Sequence, residues 1–568
     1  MVNVPKKNRF KALSHTAKLT CDMGYAVPVL VQDVIPNDTF KISVQSLIRF
    51  APLLAPMMSE VDVYFHAFFV PDRIIWTKAE DFYTGAHNGV QLAPEDVPQR
   101  PRMYFTGDAA RLVGRFMQTG SLADYLGFQT IQNENWGDGD DDAVDLDEMP
   151  FRAYLRIWYD YYRDENLSYD NGITGSPFGD DLESIWESSG YTNYTNGSFN
   201  NTAAGYLLEL RRRAWKKDYF TSALPFPQKG DDVLIPSNIS SVNNIGISRI
   251  GSDLKQFITT GGGSSTSGDP IVSGDSLASG GYLRLKVGNA SGPNILINPD
   301  NLVVTPSAIQ DHLVNESTIR DLRRAFAAQK FLERRAVGGS RYQEQNLAFF
   351  GIRGSDARLQ RSEYLGGIKN PVVVSQILQT SETTEGNPLG TPAGNAVSAS
   401  SGFLFNRTFE EYGWIMIIMS VTPKADYIQG TPRMYLRKDV YDYYWPQFAR
   451  VGEQPILNQE VFTTYSVDAY DEENGINNGT FGYTPRYAEY RFRNNRIHGD
   501  FRTTLSFWTQ ARNFDSLPSL NGDFVSCNPS NRVFAVDPEG KQGIHHLWCE
   551  CYFNIDAIRP VTKYAESL

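Results

Sequence analysis

Residues Val61–Val70 read VDVYFHAFFV, and this stretch sets the fold class. Val61, Val63, Phe65, Ala67 and Phe69 alternate with Asp62, Tyr64, His66 and Phe68. A period of two predicts a β-strand with one face fully buried and the other amphipathic. Similar segments recur at Val29–Val34, Phe40–Val44, Trp414–Val421, Thr503–Thr509 and His546–Ile555, separated by long loops rich in Pro, Gly and Asn. Strands so far apart suit a Greek-key sandwich, in which sheet neighbours are distant in sequence and long connections carry the specialised surfaces. No internal repeat is evident.

Composition agrees with a turn-rich globular protein. The 568 residues are 41% hydrophobic with 33 Phe and 30 Tyr, which excludes a disordered chain, while 47 Gly and 30 Pro predict many turns. The longest apolar run, within GWIMIIMSV at Trp414–Val421, is far shorter than the roughly 20 residues of a membrane span, so it reads as a buried strand and no membrane insertion is expected. The N-terminal VPKKNRFKALSHTAKLT is basic but lacks the continuous apolar core of a secretory signal, so cytoplasmic synthesis is expected. Sequons such as those at Asn193 and Asn478 carry no weight without such a signal.

Cysteines stand only at 21, 527, 549 and 551, too few and too scattered for a disulfide framework. His545, Cys549 and Cys551 share a face if HHLWCECYF is a strand, with Cys527 as a further candidate ligand. Alternate strand positions lie roughly 6.6 Å apart, too far for two ligands of one tetrahedral zinc without a bend, and no metal is expected.

Two helices are legible. In FRAYLRIWYDYYRDENL, residues Phe151, Tyr154, Leu155, Trp158 and Tyr162 make one core stripe, with Arg152, Arg156 and Asp160 predicted to face away. In the second, Thr318 and Asp321 are spaced as a capping box, and Ile319, Leu322, Ala325, Phe326, Leu332 and Ala336 form the apolar stripe. Arg320, Arg323, Arg324, Lys330, Arg334 and Arg335 occupy its opposite face, and Gly338 with Gly339 supplies the positive-φ residues that commonly stop a helix.

C-terminal to that helix, the segments GGSRYQEQ and DARLQRSEYLGG closely resemble the signature region of the major capsid proteins of the microviruses, small single-stranded DNA bacteriophages, and in particular their gokushovirus branch. The resemblance continues in LSHTAKLTCDMGYAVPVLVQDVIPNDTFKI at Leu13–Ile42, APLLAPMMSEVDVYFHAFFVP at Ala51–Pro71, and the Phe151–Leu167 helix segment. It extends through DYFTSALPFPQKG at Asp218–Gly230 and FGYTPRYAEYRF at Phe481–Phe492.

That resemblance implies a mainly β protein, an eight-stranded antiparallel jelly-roll (viral β-sandwich) with long inserted loops and a few helices. It implies a homo-oligomer, an icosahedral T=1 shell enclosing circular single-stranded DNA, assembled in the bacterial host cytoplasm. An internal scaffolding protein, a DNA pilot protein, a small basic DNA-binding protein and a host cell-surface receptor are implied partners. The coat domain is expected in two parts, 1–230 and 307–568, around an insertion at 231–306 that is poor in charge and rich in Gly, Ser and Asn. The alternatives for this insertion are a flexible linker and an ordered protrusion; its apolar clusters at Val233–Ile235, Tyr282–Val287 and Ile295–Ile297 favour the latter. By resemblance it forms the protrusion at the threefold axes, with Gly261, Gly262, Gly263, Ser264, Ser265 and Asp269 at its centre.

A net charge of −12 argues against a surface that grips nucleic acid everywhere, yet the cations are bunched. Lys6, Lys7, Arg9, Lys11 and Lys18 precede the first acidic residue, Asp22; Arg211, Arg212, Arg213, Lys216 and Lys217 surround Trp215, Tyr219 and Phe220. Cations interleaved with aromatics suit single-stranded DNA, since phosphates take the charge and any base stacks on a ring. The competing reading is a solvated charged face, with Trp215 and Phe220 in the core.

The acidic loop at Asp138, Asp140, Asp141, Asp142, Asp145, Asp147 and Glu148 invites calcium, but an EF-hand starting at Asp138 puts Ala143 at the turn glycine and Met149 at the bidentate Glu. A solvated loop is preferred. No nucleophile elbow, zinc-protease motif or phosphate loop occurs, so no catalytic residue and no cofactor are expected. The alternative class is a β-sandwich carbohydrate-binding protein or glycoside hydrolase, whose carboxylate pair is made in space and leaves no motif.

Overall fold

The computed structural model describes residues 7–562 apart from 89, 107–115, 131–142, 168–207, 339–341, 353, 379–391, 450–451, 472–474 and 536–544. Between 231 and 318 it describes Val233 and the strands alone.

Ten strands build the sandwich: β1 (Asn8–Phe10), β2 (His15–Cys21), β3 (Val27–Val34), β4 (Thr39–Phe50), β5 (Val61–Pro71), β6 (Glu363–Pro371), β7 (Val373–Leu378), β8 (Pro392–Thr408), β9 (Gly413–Pro423) and β10 (Leu547–Arg559). The first sheet runs β7, β8, β4, β10, with β1 and β2 both paired to the far side of β10; the second runs β6, β5, β9, β3. All these pairings are antiparallel. From β2 to β5 the chain changes sheet at every step, as it does from β8 to β10, which is jelly-roll connectivity. β1 and β7 are edge strands, and among the described residues the sandwich carries ten strands, two more than the resemblance implies.

Alternation decides which side chains fill the space between the sheets. β4 sends Phe40, Ile42, Val44, Ile48 and Phe50 inward, and β10 sends Leu547, Cys549, Cys551, Phe553, Ile555 and Ala557 to meet them. From β5 come Val61, Val63, Phe65, Ala67 and Phe69, the apolar set read from the sequence. The other face of the second sheet is also covered. Phe68, Val70, Met416 and Ile418 pack into a second core with the helix Met149–Ile157. A strand buried on both faces needs apolar residues at consecutive positions, which is why β9 reads GWIMIIMSV without alternation.

Three expectations are corrected. Thr503–Thr509 is not a strand: it follows the 3₁₀ turn Gly499–Arg502 as a turn at 503–505 and a second 3₁₀ turn, Ser506–Trp508, and the Asp500 carbonyl accepts the amides of both Thr503 and Leu505. Local turn bonds satisfy the backbone there without a ladder partner. In the Met149–Ile157 helix and the π-helical turn Trp158–Tyr162 that continues it, the core stripe is buried as read, but Arg152 and Asp160 are buried too. Arg152 donates to Glu148 (2.8 Å) and to the Ile75 carbonyl (2.9 Å), while Asp160 accepts the Ser362 amide (3.0 Å) and hydroxyl (2.8 Å). Both sides of that helix therefore face protein, and its polar residues are paired. In the helix Ile319–Val337, Ala336 is buried but Phe326 is 64% exposed. Its Thr318–Asp321 cap lies outside the described side chains. Gly338 at its end is not in the left-handed region, and a Cβ there would lie 2.7 Å from the Ala348 Cβ, so close approach and not positive φ calls for glycine; Gly339 lies outside the described residues.

By internal contacts the chain forms two compact units, Met1–Lys229 with Glu333–Leu568, and Gly230–Leu332. The second holds an antiparallel sheet ordered Ile258–Thr259, Asn294–Ile297, Tyr282–Val287, Ile271–Ala278. Gly261, Gly262, Gly263, Ser264, Ser265 and Asp269 lie outside the described residues.

Candidate nucleic-acid interface

The two sheets differ on their outer faces. Helices cover the second, whereas the first presents alternate residues of β10, β4 and β8 to solvent. Register places Trp548 opposite Arg49 and Thr20, Tyr552 opposite Gln45 and Thr16, and Asp556 opposite Lys41. Trp548 is 47% exposed and Phe403, across from Ser43, is 54% exposed. Arg49 makes no ion pair among the described residues. A groove of about 800 Å³ is lined by Lys18, Thr20, Leu47, Arg49, Trp548 and Glu550, among others. Rings for stacking and cations for phosphate thus share one open surface.

The N-terminal cluster reaches the same sheet. Arg9 lies in β1, and its guanidinium grips both oxygens of Asp556; Lys7 and Lys11 flank it, exposed. This pairing holds the Asp556 carboxyl below the usual carboxylate range. Lys6 lies outside the described residues.

The second cluster is turned largely inward. Arg211 is buried, with its guanidinium 3.0 Å from Glu209 and its amide donating to the Tyr154 hydroxyl (3.0 Å). Arg212 donates to the Tyr25 hydroxyl (2.8 Å) and the Cys527 carbonyl (3.2 Å), and its guanidinium lies 4.0 Å from the Tyr25 ring centroid. Arg213 donates to Ser420 (2.8 Å) above the Tyr64 ring. Trp215 is buried beneath Arg512. Only Lys216 and Lys217 of this cluster are exposed, and Lys217 pairs with Glu165. A guanidinium can be buried when carbonyls and ring faces take its five donors and its charge, so the segment serves as internal packing.

Sequence reading missed Arg49, Lys41, Trp548, Tyr552 and Phe403, since only register brings them together. It also missed Arg493, Arg496 and Arg502: burial, and then the charges of Arg502 and Arg493, lowers the Arg496 pKa. A run such as YRFRNNR carried the signal in plain view.

The metal readings gain nothing from the geometry. Among the described residues no group of three His, Cys, Asp or Glu is placed to hold an ion. Cys549 faces Cys21, with sulfurs 4.0 Å apart, while Cys527 packs elsewhere beside Gly24, and His545 bonds Thr20 (2.9 Å). In the acidic loop Asp145 and Asp147 are gripped by Arg102 and Arg100, and Glu148 by Arg152; positions 138–142 lie outside the described residues. The carboxylates lining a cavity of about 360 Å³ are likewise engaged: Asp22 by His546, Glu209 by Arg211 and Asp164 by the amides of Asn166 and Leu167.

Comparison with known proteins fits this structural reading. The family model described as Capsid protein (F protein) matches residues 2–568. The chain is 32% identical to Capsid protein VP1 of Chlamydia phage 1, covering 97% of this chain and 94% of that one. It is 30% identical to Capsid protein VP1 of Bdellovibrio phage phiMH2K (94% and 91% covered) and 28% identical to that of Spiroplasma virus 4 (97% and 94% covered). Matched from end to end, the chain belongs to the phage capsid protein (F protein) family, as a structural major capsid protein of the virion and not an enzyme.

Proposed function

We propose that copies of this chain close into a T=1 icosahedral shell around circular single-stranded DNA, with the open face of the first sheet turned to the genome. The observation that carries the orientation is that this face sets Trp548, Tyr552 and Phe403 beside Arg49 and Lys41, next to the basic strand β1. Phosphates would meet Lys7, Lys11, Lys41 and Arg49, while bases stack on the rings. With a net charge of −12 the subunit neutralises little of the genome by itself, so a small basic partner supplies the remainder. An internal scaffolding protein and a DNA pilot protein complete the assembly pathway that the family resemblance implies.

Changing Lys41 and Arg49 together to Glu tests the orientation. Shells should still form, with clearly less nuclease-protected DNA per particle. Unchanged DNA content would place the genome against another surface.

The insertion at 231–306 is the element we assign to host attachment through a cell-surface receptor. It has strands of its own within a separate compact unit, which supports an ordered protrusion. Excising Gly251–Gly281 should leave shell assembly intact and alter attachment; failure of the subunit to fold would count against the assignment.

A further inference from the structure

Two surfaces built mainly from the loops between β9 and β10 are opposite in charge and alike in apolar character. One is a pocket of about 180 Å³ with Phe220 and Tyr427 among its lining, Met434, Phe492 and Arg493 on its exposed side, and half-buried Arg496, which donates to the Gly430 carbonyl. The nearby carboxylates are already engaged. Glu460 takes Arg433 (3.0 Å) and the Tyr219 hydroxyl (3.0 Å), and Glu489 takes Gln454 (2.7 Å) and Arg437 (3.5 Å). Arg493 has no ion pair among the described residues, and Arg502 adds a third cation close by. The pocket thus offers an apolar hollow with an uncompensated cationic rim.

The other surface is the turn Tyr465–Asp471. Tyr465 is 84% exposed and Val467 is 92% exposed, with Tyr470 half-exposed and Asp468 exposed between them. This turn is held rigid from beneath. Buried Asn477 accepts the Thr464 amide (3.0 Å) and donates to the Thr464 carbonyl (2.8 Å), Ala469 is buried, and the Ala469 amide donates to Ser466 Oγ (3.2 Å). A preorganised turn that exposes two tyrosines and a valine binds with little ordering cost and leaves apolar surface in water until something covers it.

We infer that the acidic turn Tyr465–Asp471 of one copy seats on the arginine-rimmed pocket of a second copy, with Tyr465 and Val467 on Met434 and Phe492 and Asp468 facing Arg493. This rests on the shell reading above, since only a self-assembling chain brings its own copies together. Turn and pocket are different patches, so the contact is heterologous, and repeated rotations of that kind close into rings. Charge complementarity fixes the register, and the covered apolar rim supplies the adhesion.

The test exchanges the charges in the full-length chain, produced as virions are, and counts closed particles by sedimentation and imaging. Arg493→Glu and Asp468→Arg should each cut particle yield at least tenfold while the subunit stays folded by circular dichroism. The chain carrying both changes should regain particles, because the pair is restored in reverse. Val467→Ser, which leaves the charges alone, should also lower the yield. Single variants that assemble at the original yield, or a double variant no better than either single, would overturn the contact. If Arg493→Glu particles form normally but protect less DNA, the rim belongs to the genome and the docking inference falls. The unaltered chain is the control for the shell reading: if it forms no particles, the shell itself is refuted, a result separable from variant-specific loss.

Discussion

Phe68 and Phe69 are consecutive in β5 and lie in different cores. Phe69 packs between the sheets, its ring centroid 4.6 Å from that of Phe409, whereas Phe68 sits under the helical layer, 4.8 Å from Tyr161. The pleat of a strand sends neighbours to opposite faces, so one strand joins the sandwich to the layer that covers it. The side of the coat subunit that stays open is then the outer face of the other sheet.

Truncating either ring should be costly. Phe68→Ala and Phe69→Ala are each expected to destabilise the dissociated subunit by about 3–5 kcal/mol, read from denaturant unfolding. A loss below about 1 kcal/mol at either site would mean that the side chain is not in a packed core.

His66 introduces a pH dependence on the acid side. Burial, and then the neighbouring Arg213, lowers its pKa from 6.5 to about 4, so the unfolded chain binds the proton more readily than the folded one. Stability is fully present above pH 6.5 and falls as pH drops toward 4, by about 3 kcal/mol at most. His66→Phe should flatten that part of the curve in a pH series of unfolding midpoints, and an unchanged slope would contradict the assignment.

Glu453 acts in the opposite sense. Burial, and then repulsion from Glu333, pushes its carboxyl up to about 7, and one of its oxygens is buried without a hydrogen-bond partner. The folded state therefore prefers the protonated form, and stability falls as pH rises from 4.5 through 7. Glu453→Gln should unfold at higher temperature than the parent at pH 8 and lose that advantage near pH 4. Equal melting at pH 8 would refute it.

The thiols should be inert while the subunit is folded. Cys21, Cys527, Cys549 and Cys551 are all buried, and burial pushes Cys527 up to about 12. Thiolate is the reactive form, so alkylation by iodoacetamide followed by mass spectrometry should label none of the four without denaturant and all four with it. Rapid labelling of native Cys549 would place it outside the sandwich core.

The fold was legible where burial imposes a period. β5 alternates, β9 is apolar throughout, and the Phe151–Tyr162 stripe is buried, because each pattern states which faces meet protein. Thr503–Thr509 misled because β-branched and aromatic residues also suit turns whose amides find a nearby carbonyl. The site was harder to read. Arg211, Arg212 and Arg213 have the composition of a DNA-binding segment, yet sequence gives a charge without its direction, and here the guanidiniums point at carbonyls and rings. Conversely, Trp548 and Arg49 look ordinary in their own segments and become neighbours only through the pairing of β10 with β4.

Whether the chain is a genome-enclosing coat is decided by imaging and light scattering of native material before and after nuclease digestion, with extraction of whatever nucleic acid survives. Closed isometric particles of one size that protect single-stranded DNA are the expected result. Soluble monomers or small oligomers with no protected DNA, persisting when the scaffolding partner is produced alongside, would refute the coat function.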